Sequence, residues 1–359
     1  MRWISRCAAL LLCGWSCLAG DAAFWCVGES TKVRPGDEPA EKNLVWDGAS
    51  RTVKIGSARN EYVAFQLAIR AQKEALAGVT VEPAPLQGPG GAEIPLSQIE
   101  LFREHYLNVT VSSRGDAAHL LAHCTAGEHP AQMVPFQAKK YGAPFEIPAG
   151  RNQPVWVDVY VPEDAAPGVY KGVFRMKAGT VVLGEANVEL TVWNFTLPHE
   201  THFRSYLYTG PENLRWGHHM GSDWQSEKFL ALEDRYFQMA HQHRVNFHPS
   251  GADTVQEVST RYLKYYDGSG FKERVGKGAG QNVVFMAMEG KSETEIKEYA
   301  RKAVAMYEEK KLTGFFFAYV WDEPHSAEDF AASKQRCKWI HEAVDKKLLT
   351  MIATPQYEK

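Results

Sequence analysis

Cysteine is scarce in this sequence, and metal-binding motifs are missing. Three of the six cysteines lie within the first 17 residues, and the other three, Cys26, Cys124 and Cys337, are far apart. Three scattered cysteines make neither a disulfide framework nor a metal cluster. The zinc-binding helix motif His-Glu-x-x-His does not occur either. We therefore expect no metal and no cofactor.

Strong charge of either sign is also missing. The formal net charge is −3, from 40 basic and 43 acidic residues, and no long basic run occurs. Nucleic-acid-binding domains usually carry a concentrated basic surface, so we expect no nucleic-acid partner. Aromatic residues make up 12% of the chain and include ten tryptophans. Aromatic rings stack on sugars, although they also fill protein cores.

The long apolar run of the sequence lies at its N-terminus. Arg2 and Arg6 precede an apolar segment at 7–19, and small residues follow around 20–23. This order is typical of a secretion signal, and about 13 apolar residues are fewer than the roughly 20 that a transmembrane helix needs. We therefore predict a signal peptide at residues 1–22, a secreted or periplasmic mature protein, and no transmembrane segment in the mature chain.

The rest of the chain has two regions of different periodicity. Between residues 23 and 198, alternating stretches such as Tyr62–Ile69 and Val155–Val161 are separated by Gly and Pro, which predicts a β-sandwich domain. From residue 199 to 359, apolar strands alternate with amphipathic helices, as in a parallel sheet covered by helices. Ser292-x-x-Glu295 and Ser326-x-x-Asp329 are capping boxes that predict two helix starts.

The second region has the pattern of a (β/α)8 barrel but only part of its length. Closed barrels take eight strands and about 250 residues. Candidate strands lie at 203–209, 245–248, 283–288, 314–321 and 348–353. We therefore expect a multidomain β plus α/β protein, in which residues 199–359 form the N-terminal part of a (β/α)8-barrel catalytic domain and the other strands lie beyond Lys359. A shorter open α/β sheet is the alternative.

Two adjacent acids, Asp322 and Glu323, follow the most apolar strand of this region. In parallel α/β folds the carboxyl ends of the strands surround one shared cleft. Paired carboxylates there can cleave a glycosidic bond, because one acid protonates the leaving oxygen while a carboxylate stabilises positive charge on the sugar ring. Alternatively, both are solvated loop residues near a helix start, where negative charge is favourable.

The adjacency of the two acids limits the mechanism. Neighbouring side chains on an extended strand point to opposite sides, whereas the nucleophile and the acid/base of a retaining enzyme lie about 5–5.5 Å apart. A substrate whose own 2-acetamido oxygen is the nucleophile avoids this conflict. In that case Asp322 orients and stabilises the acetamido group, and Glu323 is the general acid/base.

Five other side chains near predicted strand ends are candidates for binding the substrate. Glu289 ends one strand, Tyr208, Asn246 and His248 lie at or near two others, and Trp321 directly precedes the acids. Each has a structural alternative: an ordinary loop acid for Glu289, core packing for Trp321, and a structural polar contact for the other three.

Asp322-Glu323-Pro324 after the strand Phe315–Trp321 resembles the acid motif of glycoside hydrolase family 123 and related uncharacterised proteins. Similar segments of the sandwich region are Ala58–Leu67, Val155–Pro162, Gly168–Gly172 and Val192–Pro198. The resemblance covers most of the mature chain. It implies a β-sandwich followed by a (β/α)8 barrel, with β-N-acetylgalactosaminidase activity in the characterised members. It also implies Asp322 as acetamido stabiliser and Glu323 as general acid/base. The later barrel strands, where such families place sugar-stacking aromatics, are absent from this sequence.

The leading hypothesis is therefore an exported, exo-acting β-N-acetylhexosaminidase with a glycan or glycoconjugate substrate. One alternative is a double-displacement glycosidase whose nucleophile lies beyond residue 359. Another is a non-catalytic carbohydrate-binding or cell-surface protein in which the sandwich binds the glycan. An acetamido-mimicking thiazoline separates the two enzymes, and glycan binding by residues 24–198 alone, without turnover, favours the third interpretation.

Overall fold

A computed structural model describes residues 21–112, 125–203, 205–223, 226–249, 254–285 and 291–353. The chain divides into two units, which meet in the sequence at Leu197 and Pro198. Each unit has its own apolar core. Within the described ranges, no helix is both long and apolar enough to cross a membrane.

The first unit is made of β-strands arranged in two sheets. In chain order they are β1 Ala22–Gly28, β2 Trp46–Asp47, β3 Thr52–Arg59, β4 Glu61–Ala71, β5 Leu76–Pro83, β6 Leu86–Gln87, β7 Glu93–Ile94, β8 Ile99–Val109, β9 Gly127–Pro135, β10 Phe145–Ile147, β11 Asn152–Val161, β12 Gly168–Ala178 and β13 Val181–Thr196. One sheet has the order β1-β4-β11-β8-β9. The other has the order β10-β5-β12-β13-β3-β2, with β6 paired to both β12 and β7. Strands β3 and β13 are parallel, and β12 is antiparallel to β13.

The alternation of residue types explains why these strands bury one face. In β13, Val188, Leu190 and Val192 are buried, and the residues between them are partly exposed. The two sheets share one core, in which Phe65 of β4 and Phe174 of β12 contact each other with ring centroids 5.7 Å apart. Two sheets packed over a common core form a sandwich, which confirms the predicted all-β fold of this region.

In the second unit, strands alternate with helices. Its elements are β14 Leu207–Thr209, α1 Pro211–Gly217, α2 Glu227–Gln242, β15 Phe247–Pro249, α3 Val255–Ser259, α4 Leu263–Tyr266, β16 Val283–Phe285, α5 Glu293–Glu309, β17 Phe316–Asp322, α6 Ala327–Val344 and β18 Leu349–Ala353. Strand β14 pairs with β15, β17 lies between β16 and β18, and all these pairs are parallel. The expected α/β alternation is present, whereas closure into a (β/α)8 barrel stays a prediction.

The capping boxes fix the starts of the helices that flank β17. Ser292 and Ser326 each accept a hydrogen bond from the backbone N–H three residues later, and Glu295 and Asp329 each accept one from the N–H of the cap. Each box satisfies two N–H groups that a helix start otherwise leaves without partners. The box of α6 therefore confines the connection after β17 to a few residues, and the two acids lie at its beginning.

Candidate active site

Strand β17 carries the two acids to its carboxyl end. Phe316 and Ala318 belong to the helix-covered core, and Phe317 between them, which points the other way, is only 4% exposed. Burial on both faces explains the uninterrupted apolar sequence of this strand. Asp322 is its last residue, and the side chains of Asp322 and Glu323 are both exposed.

An irregularity within β17 redirects Asp322. The register with β18 shifts between Tyr319 and Trp321, as in a β-bulge, where an extra residue interrupts the alternation of faces. On a regular strand Tyr319 and Asp322, three residues apart, would point to opposite faces. Instead, the Tyr319 hydroxyl donates a hydrogen bond of 2.6 Å to Asp322 Oδ1. The bulge thus brings Asp322 onto the face of Tyr319.

The electrostatics of this contact keep the proton on the tyrosine. Burial raises the pKa of Tyr319, and the carboxylates of Asp322 and Glu323 raise it further. A phenol with a raised pKa remains a hydrogen-bond donor at neutral pH. The contact is therefore one between a neutral hydroxyl and a carboxylate acceptor.

Trp321 makes a packing contact. The guanidinium carbon of Arg336, on α6, lies 4.2 Å from the centroid of the Trp321 ring. Such a cation–π contact holds the helix against the end of the strand. This contact agrees with the packing alternative given above for Trp321, and its predicted substrate contact stays a prediction.

Glu323 leaves the extended conformation. Its φ is +48°, in the left-handed region, which costs an ordinary L-residue roughly 1–2 kcal/mol. Its N–H donates to the carbonyl oxygen of Ala353 in β18 at 2.9 Å, which anchors the turn. Its carboxylate Oε2 lies 4.0 Å from Nε2 of the exposed His325. The two acids would point to opposite sides only on an extended backbone, and the backbone at Glu323 is not extended.

Aromatic rings connect this end of β17 to two further strands. Tyr206, just before β14, stacks on Tyr319 (centroids 5.9 Å apart, 25° between planes) and on Tyr208 (6.1 Å, 28°). Its ring also lies 5.2 Å from that of His248, which is paired with Tyr208 across β14 and β15. Three predicted residues, Tyr208, His248 and Asp322, are thus linked through the rings of Tyr206 and Tyr319.

His248 is a neutral, enclosed side chain. It is 2% exposed, and burial lowers its pKa to about 4, because an imidazolium ion loses its hydration there. Its Nδ1 lies 3.3 Å from the hydroxyl of Tyr266. Its Nε2 has no hydrogen-bond partner among the described residues. A neutral imidazole has one donor and one acceptor nitrogen, so Nε2 can make a polar contact, but in this structure it is closed off from solvent.

Asn246 lies at the opposite end of the strands. It precedes β15, and its Oδ1 accepts the N–H of Asn282 at 2.8 Å while its Nδ2 donates to Ser205 Oγ at 3.1 Å. Its backbone carbonyl accepts the N–H of Leu207 at 2.9 Å. These bonds tie the starts of β14, β15 and β16 together. Asn246 therefore does not join the carboxyl-end site that its predicted sugar contact requires.

The seventh predicted residue, Glu289, lies outside the described residues. In the part of the chain that the structure does describe, no three His, Cys, Asp or Glu side chains are grouped so that they could hold a metal ion. Two residues that sequence reasoning missed, Tyr206 and Tyr319, organise the site. The signal for Tyr206 was available, because Tyr206 and Tyr208 alternate beside a predicted strand end.

Comparisons with known proteins place this geometry in context. Residues 41–178 match the Glycoside hydrolase 123 N-terminal domain. The chain is similar in structure to a family 123 glycoside hydrolase from Clostridium perfringens, described in work on glycolipid glycan hydrolysis, with a TM-score of 0.64 and 12% sequence identity. That similarity covers 94% of this chain and 64% of the bacterial enzyme, so the chain spans less than two thirds of the enzyme's length.

A second solved structure is much less similar to this chain. The sporulation control protein Spo0M of Bacillus subtilis matches 48% of this chain and 50% of its own at 11% identity, with a TM-score of 0.22. No curated protein matches the chain. The likeness to the Clostridium enzyme, at its low identity, shows a shared fold.

Proposed function

We propose that this chain hydrolyses terminal β-linked N-acetylhexosamine, of the galactosamine type, from a glycan or glycoconjugate, because residues 41–178 match the Glycoside hydrolase 123 N-terminal domain and the chain shares the fold of a family 123 enzyme. The observation that carries the proposal is the arrangement of the acids at the end of β17. Asp322 is held by a hydrogen bond, and Glu323 stands on a separate turn with an exposed carboxyl group. The glycolipid glycan hydrolysis described for the Clostridium enzyme supports a glycan substrate.

Asp322 is the residue that orients the substrate. Its Oδ1 is engaged by Tyr319, and its Oδ2 accepts the N–H of the substrate's 2-acetamido group. The acetamido oxygen then attacks the anomeric carbon as the glycosidic C–O bond breaks, and positive charge spreads over the cyclic intermediate. The carboxylate of Asp322 stabilises that charge, because it is fixed before the charge develops.

Glu323 is the residue that moves the proton. In the first step its carboxylic acid donates a proton to the leaving oxygen. In the second step its carboxylate takes a proton from water, whose oxygen attacks the anomeric carbon and reopens the ring of the intermediate. Two displacements at one carbon retain the β configuration. A carboxyl group on its own turn can reach the leaving oxygen without disturbing the acid beside it.

The aromatic residues supply a surface for the sugar. Tyr208 is 47% exposed and stacks on Tyr206, so its ring offers an apolar face near the acids. His248 Nε2 is a neutral polar atom without a partner among the described residues. We assign the sugar ring to the tyrosine face; His248 Nε2 is buried, so a sugar hydroxyl reaches it only when the side chains around it move. We further propose export through a signal peptide at 1–22.

Turnover of 4-nitrophenyl N-acetyl-β-D-galactosaminide by the purified protein tests the proposal. We expect Glu323→Gln to lower kcat by about 10²- to 10⁴-fold, the usual contribution of a positioned acid or base, and Asp322→Asn to lower it by about 10²- to 10³-fold, the usual effect of removing one group that stabilises transition-state charge. Glu328→Gln is the matched control, since it neutralises another exposed acid, in the first turn of α6. Full activity in both site variants contradicts the assignment.

Two further measurements address the alternatives. An N-acetylglucosamine-derived or N-acetylgalactosamine-derived thiazoline mimics the cyclic intermediate, so we expect tight inhibition of this enzyme. A double-displacement enzyme would bind the thiazoline weakly and hydrolyse substrates that lack the acetamido group. Glycan binding by residues 24–198 with no turnover by the complete protein would instead favour a carbohydrate-binding protein.

A further inference from the structure

The contact between Tyr319 and Asp322 has the geometry of a strong hydrogen bond. The 2.6 Å from the hydroxyl to Asp322 Oδ1 lies in the range of 2.5–2.7 Å that is typical of O–H···O⁻ bonds with a charged acceptor. Without it, the exposed side chain of Asp322 would be free to turn about two torsions. The hydrogen bond therefore selects one orientation of the carboxylate.

The Tyr319 hydroxyl is itself held by neighbouring rings. The ring of Tyr319 stacks on Tyr206, and Tyr206 contacts Phe317 edge to face, with centroids 6.2 Å apart and 77° between planes. Phe317 is buried in the middle of β17. The position of the hydroxyl thus follows from a chain of ring contacts that ends in the buried part of the strand.

From these contacts we infer that Tyr319 is a positioning residue, whose hydroxyl holds Asp322 Oδ1 so that Oδ2 faces the substrate's acetamido group. The inference rests on the proposed function and adds a residue to it. It also explains why β17 contains a bulge, because only the shifted register puts the side chains of Tyr319 and Asp322 on one face. The competing interpretation is that the hydrogen bond merely closes the bulge and contributes to stability alone.

Tyr319→Phe removes the hydroxyl and keeps the ring. Tyr307→Phe is the matched control, because the Tyr307 hydroxyl also donates a hydrogen bond of 2.6 Å, to the carbonyl of Gly314, which lies before the start of the same strand. A hydrogen bond to a charged group corresponds to about a ten- to hundredfold effect. We expect Tyr319→Phe to lower kcat/KM for the nitrophenyl substrate by that factor, mainly through kcat, and Tyr307→Phe to leave it within about twofold.

A double-mutant cycle separates positioning from stability. If Tyr319 acts through Asp322, Tyr319→Phe in an Asp322→Asn background lowers kcat/KM by less than about twofold. Fully additive losses overturn the inference, since they show that the hydroxyl acts independently of Asp322. An equal loss of activity in Tyr307→Phe overturns it too, because a purely structural hydrogen bond then has the same effect.

Crystal structures provide a readout that needs no activity. We expect Asp322 in one rotamer in the wild-type protein and in Tyr307→Phe, and in several rotamers in Tyr319→Phe. An unchanged single rotamer in Tyr319→Phe overturns the inference. If the wild-type protein shows no turnover, the proposed function fails, and the rotamer comparison still decides whether Tyr319 positions Asp322.

Discussion

The left-handed backbone of Glu323 predicts an unusual order of stability for two substitutions at that residue. In most positions glycine is less stable than alanine, because its backbone loses more freedom on folding. At a φ of +48° the order should reverse, since alanine has a Cβ that clashes in this conformation and glycine does not. We expect Glu323→Gly to be more stable than Glu323→Ala.

The size of the effect follows from two opposing contributions. The left-handed conformation lowers the stability of the alanine variant by roughly 1–2 kcal/mol. The greater conformational freedom of unfolded glycine lowers the stability of the glycine variant by roughly 0.5–1 kcal/mol. The free energy of unfolding of Glu323→Gly should therefore exceed that of Glu323→Ala by about 0.5–1 kcal/mol. Both variants lack the carboxyl group, so lost side-chain contacts, including that with His325, cancel in the comparison.

Urea-induced unfolding followed by tryptophan fluorescence measures this difference. The control pair is Lys334→Gly and Lys334→Ala, at an exposed position inside α6. There the alanine variant should be more stable than the glycine variant by about 1 kcal/mol. The two sites should thus give differences of opposite sign with unchanged slopes of the denaturant dependence. Alanine at least as stable as glycine at residue 323 would refute the assigned backbone strain.

Two further substitutions test features away from the acids. Asn246→Ala leaves the Asn282 N–H without its acceptor, whereas Ser205 Oγ still accepts the backbone N–H of residue 246, so we expect the free energy of unfolding to fall by about 1–3 kcal/mol with KM little changed; a large rise in KM at constant stability would contradict the structural role. In the sandwich, burial raises the pKa of Glu104 from its usual 4.5 to about 7, so the native state binds this proton more tightly than the unfolded state. Stability should therefore fall as the pH rises from about 4.5 to 7, by up to about 3 kcal/mol. Glu104→Gln should remove that slope in urea titrations at pH 5 and 8, and an unchanged slope would contradict it.

Much of the fold could be predicted because its signals are local. The alternation of Val188, Leu190 and Val192 with polar residues identifies a strand with one buried face, and the capping box at Ser326 identifies the start of α6. Strand ends were less predictable. The strand predicted at 245–248 begins at Phe247 in the structure, and that shift moves Asn246 from the strand to the loop before it. Apolar patterns do not show where a short strand begins, because buried loop residues extend the same pattern.

The bulge in β17 and the turn at Glu323 were beyond sequence reasoning. The stretch Phe315–Trp321 is aromatic or aliphatic throughout, so no polar residue marks the point where alternation breaks. Glu323 precedes Pro324, a context that favours extended backbone, and glutamate is not a residue that usually adopts a positive φ. Both irregularities depend on pairing with β18, a contact that the local sequence does not encode.

In the proposed reaction, these two irregularities remove the conflict between two adjacent acids. On a regular strand, side chains of consecutive residues diverge, so Asp322 and Glu323 could not act on neighbouring atoms of one sugar. The bulge turns Asp322 toward Tyr319, and the left-handed residue that follows aims Glu323 independently of the strand. The two features can be tested separately, since Tyr319→Phe releases Asp322 without altering the turn, and Glu323→Gly relieves the turn without altering Tyr319. Strained backbone is kept where a function requires it; if Glu323→Gly is no less stable than the wild-type protein while Glu323→Gln is inactive, the residue at this turn is kept for its carboxyl group and not for the fold.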